Sequence, residues 1–107
     1  MAKPMDVNAE SFDREVLEHA EPVLVDFWSP TCPHCLRLNP DYEAAAEKGS
    51  DLAKFCKVSV ADAMPLFHKW GVNGVPTLIL FRDGKEVTRQ SGARSADELL
   101  QWLRANL

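Results

Sequence analysis

Two cysteines separated by two residues, Cys32 and Cys35, lie between an apolar run and a long helical pattern. The apolar run, residues 23–27, has the length of a strand and is too apolar for a half-exposed one, so it predicts a central strand buried on both faces. Such a strand needs helices on both sides of a partly parallel sheet. A C-x-x-C pair where a strand ends and a helix begins then favours a redox-active dithiol over a structural disulfide.

The composition of the chain excludes several further classes of protein. The chain has 107 residues, which predicts one domain spanning 1–107. Its net charge of −4 argues against nucleic acid as a partner, and no apolar run approaches the ~20 residues of a membrane span. Three cysteines are too few for a disulfide scaffold, and residues 1–6 lack the pattern of a secretory signal. We therefore expect a monomeric cytoplasmic protein that binds neither nucleic acid nor membrane.

The first half of the chain predicts a strand between two helices. Residues 1–8 are ambiguous but can hold a short edge strand, and Ser11 can cap a helix that ends near His19. The long helix covers residues 32–48. We expect it to kink at Pro40, which removes one hydrogen bond of the helix.

The second half predicts two helices and three strands. A strand over residues 53–60 places Lys57 on one face and Cys56 on the other. The pattern then predicts a helix capped by Asp62 that runs through Trp70, a hairpin of residues 77–81 and 87–91 around Asp83-Gly84, and a last helix opened by the capping box Ser95-x-x-Glu98. The complete order is β-α-β-α-β-α-β-β-α, which is typical of a mixed sheet with helices on both faces.

Several of these marks occur together in one protein family. They are Val25-Asp26-Phe27-Trp28, the C-x-x-C pair at a helix start, Pro40, Gly74-Val75-Pro76-Thr77, Asp83-Gly84 and Gly92. With them the chain resembles the thioredoxin family over essentially its whole length. The resemblance implies an α/β thioredoxin fold, with a central mixed sheet of four to five strands flanked on both faces by about four helices. It also implies a thiol–disulfide oxidoreductase, with Cys32 as the attacking thiol and Cys35 as the resolving thiol.

The residues around the cysteines depart from the family pattern. Thioredoxins usually have Trp-Cys-Gly-Pro-Cys, whereas this chain has Thr31-Cys32-Pro33-His34-Cys35. Its Pro-His dipeptide is similar to that of bacterial periplasmic disulfide oxidants, but those carry a large helical insertion that this chain is too short to hold. The departure leaves the reduction potential and the partner open.

Cys32 lies where a thiolate is favoured. Unpaired N–H groups and the dipole at a helix N terminus stabilise the anion, and Pro33 fits the first turn because no N–H is needed there. As a cation near the helix start, His34 could stabilise the thiolate further and make the disulfide more oxidising. We therefore expect a potential between the established values of about −270 mV for thioredoxin and about −120 mV for the periplasmic oxidant. The alternative is a solvated His34 with little effect.

Asp26 is a carboxylate inside an apolar strand. Burial should raise its pKa, because an unpaired buried charge is costly. A carboxylate with a raised pKa can accept a proton from Cys35, through water, as that thiol attacks. The resemblance places Lys57 near this acid, where its charge would lower the Asp26 pKa again. The alternative is a structural carboxylate capped at a strand end.

The substrate surface is predicted mainly from the resemblance. The Val75–Pro76 bond is cis or trans with equal support from the sequence, and only the resemblance favours cis. A cis bond would turn the Val75 backbone toward the cysteines, where it could hydrogen-bond an extended substrate segment. We expect Trp28 to pack beside the cysteines, Thr31 to open the surface that a tryptophan would cover, and Gly92 to border the site.

The two sulfurs carry the electrons, so no bound cofactor and no metal are expected. The expected partners are protein disulfide substrates and, if the protein works as a reductant, a thioredoxin reductase-type flavoenzyme as electron donor. Four alternatives stay open: a glutathione-linked oxidoreductase, a more oxidising isomerase or oxidant, a non-catalytic interaction module, and a metal site. The metal site would use both cysteines and His34 but lacks a fourth ligand.

Overall fold

The computed structural model describes residues 3–107, with the apolar strand before the cysteines at the centre of a five-stranded sheet. This strand, β2 (Val23–Trp28), lies between β3 (Lys54–Ser59) and β4 (Thr77–Arg82). The outer strands are β1 (Met5–Asp6), beside β3, and β5 (Lys85–Ser91), beside β4. β1 and β2 run parallel to β3, whereas β2 with β4 and β4 with β5 are antiparallel. The predicted mixed sheet is confirmed.

Alternate residues of β2 belong to two hydrophobic cores, one on each face of the sheet. Val25 and Phe27 pack with Phe12 and with α2 (Val60–Lys69) on one face. Leu24 packs with α1 (Pro33–Lys48) and α3 (Ala96–Asn106) on the other. Helices on both faces are therefore confirmed, and Asp26 shares the α1 face with Leu24.

The segment before β2 differs from the predicted helix. Asp13–Leu17 is a single π-helical turn, closed by a hydrogen bond from Glu18 N–H to Asp13 O. Ser11 does not cap it in the predicted way. Instead Asn8 Oδ1 accepts from the N–H of Ser11, and Ser11 Oγ accepts from the N–H of Asn8. The apolar spacing identified the buried side of this segment but could not predict which carbonyl each N–H group would bond to.

The helix after β3 begins before the predicted cap at Asp62. Ser59 is its N-cap and accepts a hydrogen bond from Ala61 N–H at 3.2 Å. The backbone leaves helical geometry at Ala63 (φ −149°, ψ 45°), two residues before Pro65. Because Pro65 has no N–H for the carbonyl four residues earlier, the break places it in the first turn of the second helical piece, where that N–H is not required.

The turn and the helix cap predicted for the C-terminal half are confirmed. Asp83 and Gly84 both have positive φ, 54° and 77°, as a two-residue hairpin turn between twisted strands requires. Ser95 and Glu98 form the reciprocal capping box at the start of α3. At the other end, the edge strand expected within residues 1–8 is confirmed as β1, although positions 1 and 2 lie outside the described residues. No helix in residues 3–107 is long and apolar enough to cross a membrane.

Candidate active site

The two cysteines of the motif occupy different environments at the start of α1. Cys32 is the N-cap residue, is half-buried, and its Sγ accepts a hydrogen bond from Cys35 N–H at 3.2 Å. Pro33 follows at the first helical position, as predicted. The same sulfur lies 3.7 Å from the Val75 carbonyl, to which its thiol can donate. Cys32 therefore combines access to solvent with an N–H donor that suits an anionic sulfur.

Cys35 is fully buried beneath Cys32 and is a free thiol in this structure, as are Cys32 and Cys56. Burial raises the pKa of Cys35 to about 12, and its hydrogen bond with Cys32 raises it too. Cys35 is therefore protonated near neutral pH, and it can act as a nucleophile only if another group takes its proton.

Asp26 is a buried carboxyl whose pKa would let it take the proton of Cys35. Its side chain is fully buried, and neither carboxyl oxygen has a hydrogen-bond partner. Burial raises its pKa well above the ordinary 3.8, to about 7, although the charge of Lys57 opposes the rise. An Asp26 carboxylate in turn raises the pKa of Cys35, so the two groups feel each other electrostatically. A group that titrates near neutral pH can accept and return a proton under cellular conditions.

Lys57 and Trp28 lie together at this end of the sheet. Lys57 is opposite Asp26 in the β2–β3 register, yet its Nζ donates to Asn39 Oδ1 at 2.9 Å. The ammonium also lies 4.2 Å from the centroid of the Trp28 ring, a cation–π arrangement. Trp28 is half-buried, so it packs partly beneath this lysine rather than standing free in solvent.

His34 lies beside Arg37 on the surface of α1. It is exposed on the first turn of α1, and Arg37 donates a guanidinium N–H to its Nδ1. Guanidinium nitrogens only donate, so Nδ1 is the acceptor in this contact. The proposed effect of His34 on the Cys32 thiolate stays a prediction.

The segment before β4 borders the cysteines from the other side. The Val75–Pro76 bond is cis, as the resemblance implied, and Val75 lies just before the first ladder pair of β4, Thr77 with Ser91. Gly92, with φ 91°, donates its N–H to Pro76 O at 3.1 Å and so fixes the loop. Thr31 is exposed and its Oγ1 lies 3.1 Å from Ser29 Oγ. Val75 thus contacts Cys32, Gly92 contacts Pro76, and Thr31 precedes Cys32 in the chain; their role as a substrate surface stays a prediction.

A groove of about 390 Å³ continues from Val75 toward α2. Its apolar wall is Val60, Met64, Phe67, Val72 and Val75. Met64 is 49% exposed at this wall. Among residues 3–107, no group of three or more His, Cys, Asp and Glu side chains is arranged to hold a metal ion.

Comparisons with known proteins agree with this geometry. The family model described as Thioredoxin matches residues 3–105. A thioredoxin of Pseudomonas aeruginosa is 35% identical over 103 residues, covering 96% of this chain and 95% of that protein. The chain belongs to the thioredoxin family. Its class of activity is thiol–disulfide oxidoreduction, and Cys32 and Cys35 have the C-x-x-C spacing of that chemistry.

Thioredoxin-family relatives of two sizes match the chain. Thioredoxin 1 of Synechococcus elongatus is 38% identical over 87 residues, covering 81% of each protein. Protein disulfide-isomerase A3 of Gallus gallus is 37% identical over 100 residues, covering 94% of this chain but only 20% of that protein. The chain thus spans nearly the full length of some relatives and about a fifth of others.

Two residues of this thioredoxin-family site were missed by reasoning from the sequence. Asn39 and Arg37 carried no motif, and each matters only through its partner, Lys57 or His34. A helical spacing was available as a signal: Asn39 is four residues after Cys35 and so lies on the same side of α1. The strand residue that Asn39 meets could not be deduced without the register of the sheet.

Proposed function

We propose that this protein reduces or exchanges protein disulfides, with Cys32 as the nucleophile and Cys35 as the resolving thiol. The contrast between the two sulfurs carries the proposal: Cys32 is accessible at the helix N terminus, and Cys35 is buried beneath it with its N–H on the Cys32 sulfur. In this arrangement Cys32 can contact a partner first, and Cys35 can attack the resulting mixed disulfide afterwards.

The reaction conserves atoms and electrons in two exchanges. The Cys32 thiolate attacks one sulfur of a substrate disulfide, the substrate S–S bond breaks, and the other substrate sulfur leaves as a thiolate. Cys35 then loses its proton and attacks the Cys32 sulfur, which expels the second substrate sulfur. The substrate gains two electrons, and the protein is left with a Cys32–Cys35 disulfide.

Asp26 is proposed as the proton acceptor for the second exchange. The pKa of Cys35, about 12, keeps this thiol protonated, whereas the pKa of Asp26, about 7, leaves about half of the carboxyl ionised at neutral pH. The rate at which the mixed disulfide resolves should therefore rise with pH through about 7. In an Asp26→Asn variant that ionisation should disappear, and resolution at the wild-type rate would refute the role.

The substrate backbone is proposed to bind beside the cis proline. Val75 and Pro76 precede the hydrogen-bonded part of β4, and the Val75 carbonyl already faces the Cys32 sulfur. An extended segment carrying the substrate cysteine could add there as a short strand. Trp28, Thr31 and Gly92 would border it.

We further propose how the protein works in the cell. A chain with three cysteines, too few for a disulfide scaffold, suits a reducing compartment such as the cytoplasm, where a flavoenzyme of the thioredoxin reductase type would return the electrons. The domain formed by these 107 residues would act as a monomer on protein disulfides. More oxidising work, such as disulfide isomerisation, is the second candidate. It is favoured by the likeness to protein disulfide-isomerase A3 together with Pro33-His34 between the cysteines.

Trapping of the mixed disulfide tests the proposal. A Cys35→Ser variant mixed with a disulfide-containing protein such as insulin should accumulate a covalent complex, because the resolving sulfur is missing. A Cys32→Ser variant should form none, and a Cys56→Ser variant should turn over like the wild type because Cys56 is buried in the opposite core. A complex formed by Cys32→Ser but not by Cys35→Ser would reverse the assignment.

A further inference from the structure

We propose that Asn39 is a positioning residue that holds the Lys57 ammonium away from the Asp26 carboxyl and so controls the proton transfer to Asp26. The inference rests on the proposed function, because Asp26 matters to catalysis only if Cys35 resolves. Its structural basis is the hydrogen bond of Lys57 to Asn39, where a bond to Asp26 was expected.

Lys57 and Asp26 are placed to form an ion pair. They are directly opposite in the parallel register of β2 and β3 and lie on the same face of the sheet. A buried carboxyl beside a lysine normally gains from pairing with it. Both oxygens of Asp26 nevertheless lack a partner, and the lysine Nζ is 2.9 Å from Asn39 Oδ1 instead.

Asn39 reaches the lysine from the helix that carries the cysteines. It is half-buried on α1, four residues after Cys35, so both side chains lie on the side of the helix that faces the sheet. The Trp28 ring, 4.2 Å from Nζ, offers a second contact on the same side. The amide and the ring are both neutral, so they hold the cation without adding a negative charge near Cys35.

The other neighbours of Asp26 do not replace the lysine. The titratable groups around the carboxyl are Lys57 from β3 and Cys35 and Tyr42 from α1. The Tyr42 hydroxyl lies 3.0 Å from the carbonyl oxygen of Leu24 and 2.8 Å from that of Cys56, and it donates its proton to one of them. From β4, the opposite residue is the apolar Leu78. Lys57 is thus the cation whose position decides how easily Asp26 ionises.

Asn39 and ionised Asp26 therefore compete for the same ammonium. When Asn39 is present, the Lys57 ammonium donates to a neutral amide, so it stabilises the Asp26 carboxylate less. Without Asn39, Lys57 can turn toward Asp26 and stabilise its ionised form. The carboxyl would then be a weaker base and would accept the Cys35 proton less readily.

The test is the pKa of the Asp26 carboxyl, followed by NMR in the reduced full-length protein. We expect Asn39→Ala to lower this pKa by about half a unit, a threefold change in the ionisation constant, and Lys57→Met to raise it. In the Lys57→Met background, Asn39→Ala should have no further effect, because the cation it controls is gone. Alanine is a better helix former than asparagine, so the variant should fold, which circular dichroism will confirm.

Asn106→Ala is the matched control, since Asn106 also lies in a helix and bonds only to Trp102 O. It should leave the Asp26 pKa unchanged. An Asp26 pKa that is unchanged or raised in Asn39→Ala, or an equal shift with and without Lys57, would overturn the proposal. The measurement needs no turnover, so a shift in the pKa without trapping by Cys35→Ser would refute the proposed function, and with it the control of proton transfer, while supporting the positioning of Lys57 by Asn39.

Discussion

At the scale of single residues, the carboxyl of Asp26 makes the stability of the fold depend on pH. Its carboxyl is fully buried without a hydrogen-bond partner, and burial raises its pKa from 3.8 to about 7. The folded protein therefore binds this proton more tightly than the unfolded chain does. The resulting stabilisation is complete below about pH 4 and is lost as the pH rises through about 7.

An Asp26→Asn variant should reveal this loss. It cannot ionise, so its free energy of unfolding relative to the wild type should grow between pH 4 and pH 8, by up to about 4 kcal/mol at ~1.4 kcal/mol per pKa unit. Urea unfolding at several pH values measures the difference. The exposed carboxyl of Asp51 provides a control, since Asp51→Asn should change stability little over the same range. A pH-independent difference for Asp26→Asn would contradict the account.

In our account, His34 acts on the cysteines through its contact with Arg37. Its Nδ1 accepts from Arg37, which keeps the guanidinium on the first turn of α1. A positive charge there stabilises the thiolate, and thus the reduced form, which makes the disulfide more oxidising.

A His34→Pro variant should therefore have a reduction potential some tens of millivolts more negative than the wild type, where ~30 mV corresponds to ~1.4 kcal/mol. An Arg37→Gln variant should move the potential in the same direction. Equilibration in glutathione buffers measures both. A potential that is unchanged or higher in His34→Pro would contradict the role of His34, and the same result in Arg37→Gln would contradict that of Arg37.

Between elements, the contact of α1 with α3 depends on a glycine at the end of α1. Gly49 has an ordinary φ of −107°, so its backbone does not require glycine. A Cβ at this position would lie 2.6 Å from Leu100 Cδ2 and 3.0 Å from the carbonyl oxygen of Ala45. Leu100 is buried in the core and has little room to move.

A Gly49→Ala variant should consequently lose about 1–3 kcal/mol of unfolding free energy, the usual cost of overpacking a core. Gly74→Ala is the matched control, because an added Cβ at Gly74 meets nothing within 4 Å. Chemical denaturation of both variants gives the comparison. Equal stability of the two would mean that α3 can shift to accommodate the methyl group.

Local signals were sufficient for the elements that have a chemical start or stop. The Asp83-Gly84 turn and the Ser95–Glu98 capping box depend on neighbouring residues alone, and both were predicted correctly. The π-helical turn at Asp13–Leu17 and the backbone break at Ala63 were not. Those two features depend on how N–H groups are shared within a turn, which apolar spacing does not determine.

Across the whole molecule, the sheet register assembles the site. Phe27 pairs with Thr77, so the residues just after β2 and just before β4 meet at one end of the sheet, and Cys32 lies beside Val75. Trp28 pairs with Ser59, which places the start of α2 and its groove on the same end. Long-range pairing of this kind brings together residues that are more than forty positions apart.

This scale also marks the limit of what the sequence predicts about the site. Cys32, Cys35, Asp26 and Pro76 were identifiable because each is a residue type with its own chemistry in a motif or an unusual environment. The contact of Asn39 with Lys57 was not, because it needs both the face of α1 and the register of β3. The contact of His34 with Arg37 likewise depends on side-chain positions that the sequence does not give.

The most direct test of the central claim is a redox titration of the wild-type protein in glutathione and dithiothreitol buffers, with the Cys32 and Cys35 thiols counted by alkylation and mass spectrometry. The account predicts one two-electron couple between these residues, at a potential above the thioredoxin value of about −270 mV and below about −120 mV. Cys56 should remain a thiol throughout. If Cys32 and Cys35 form no disulfide with each other at any potential, the protein is not a dithiol oxidoreductase.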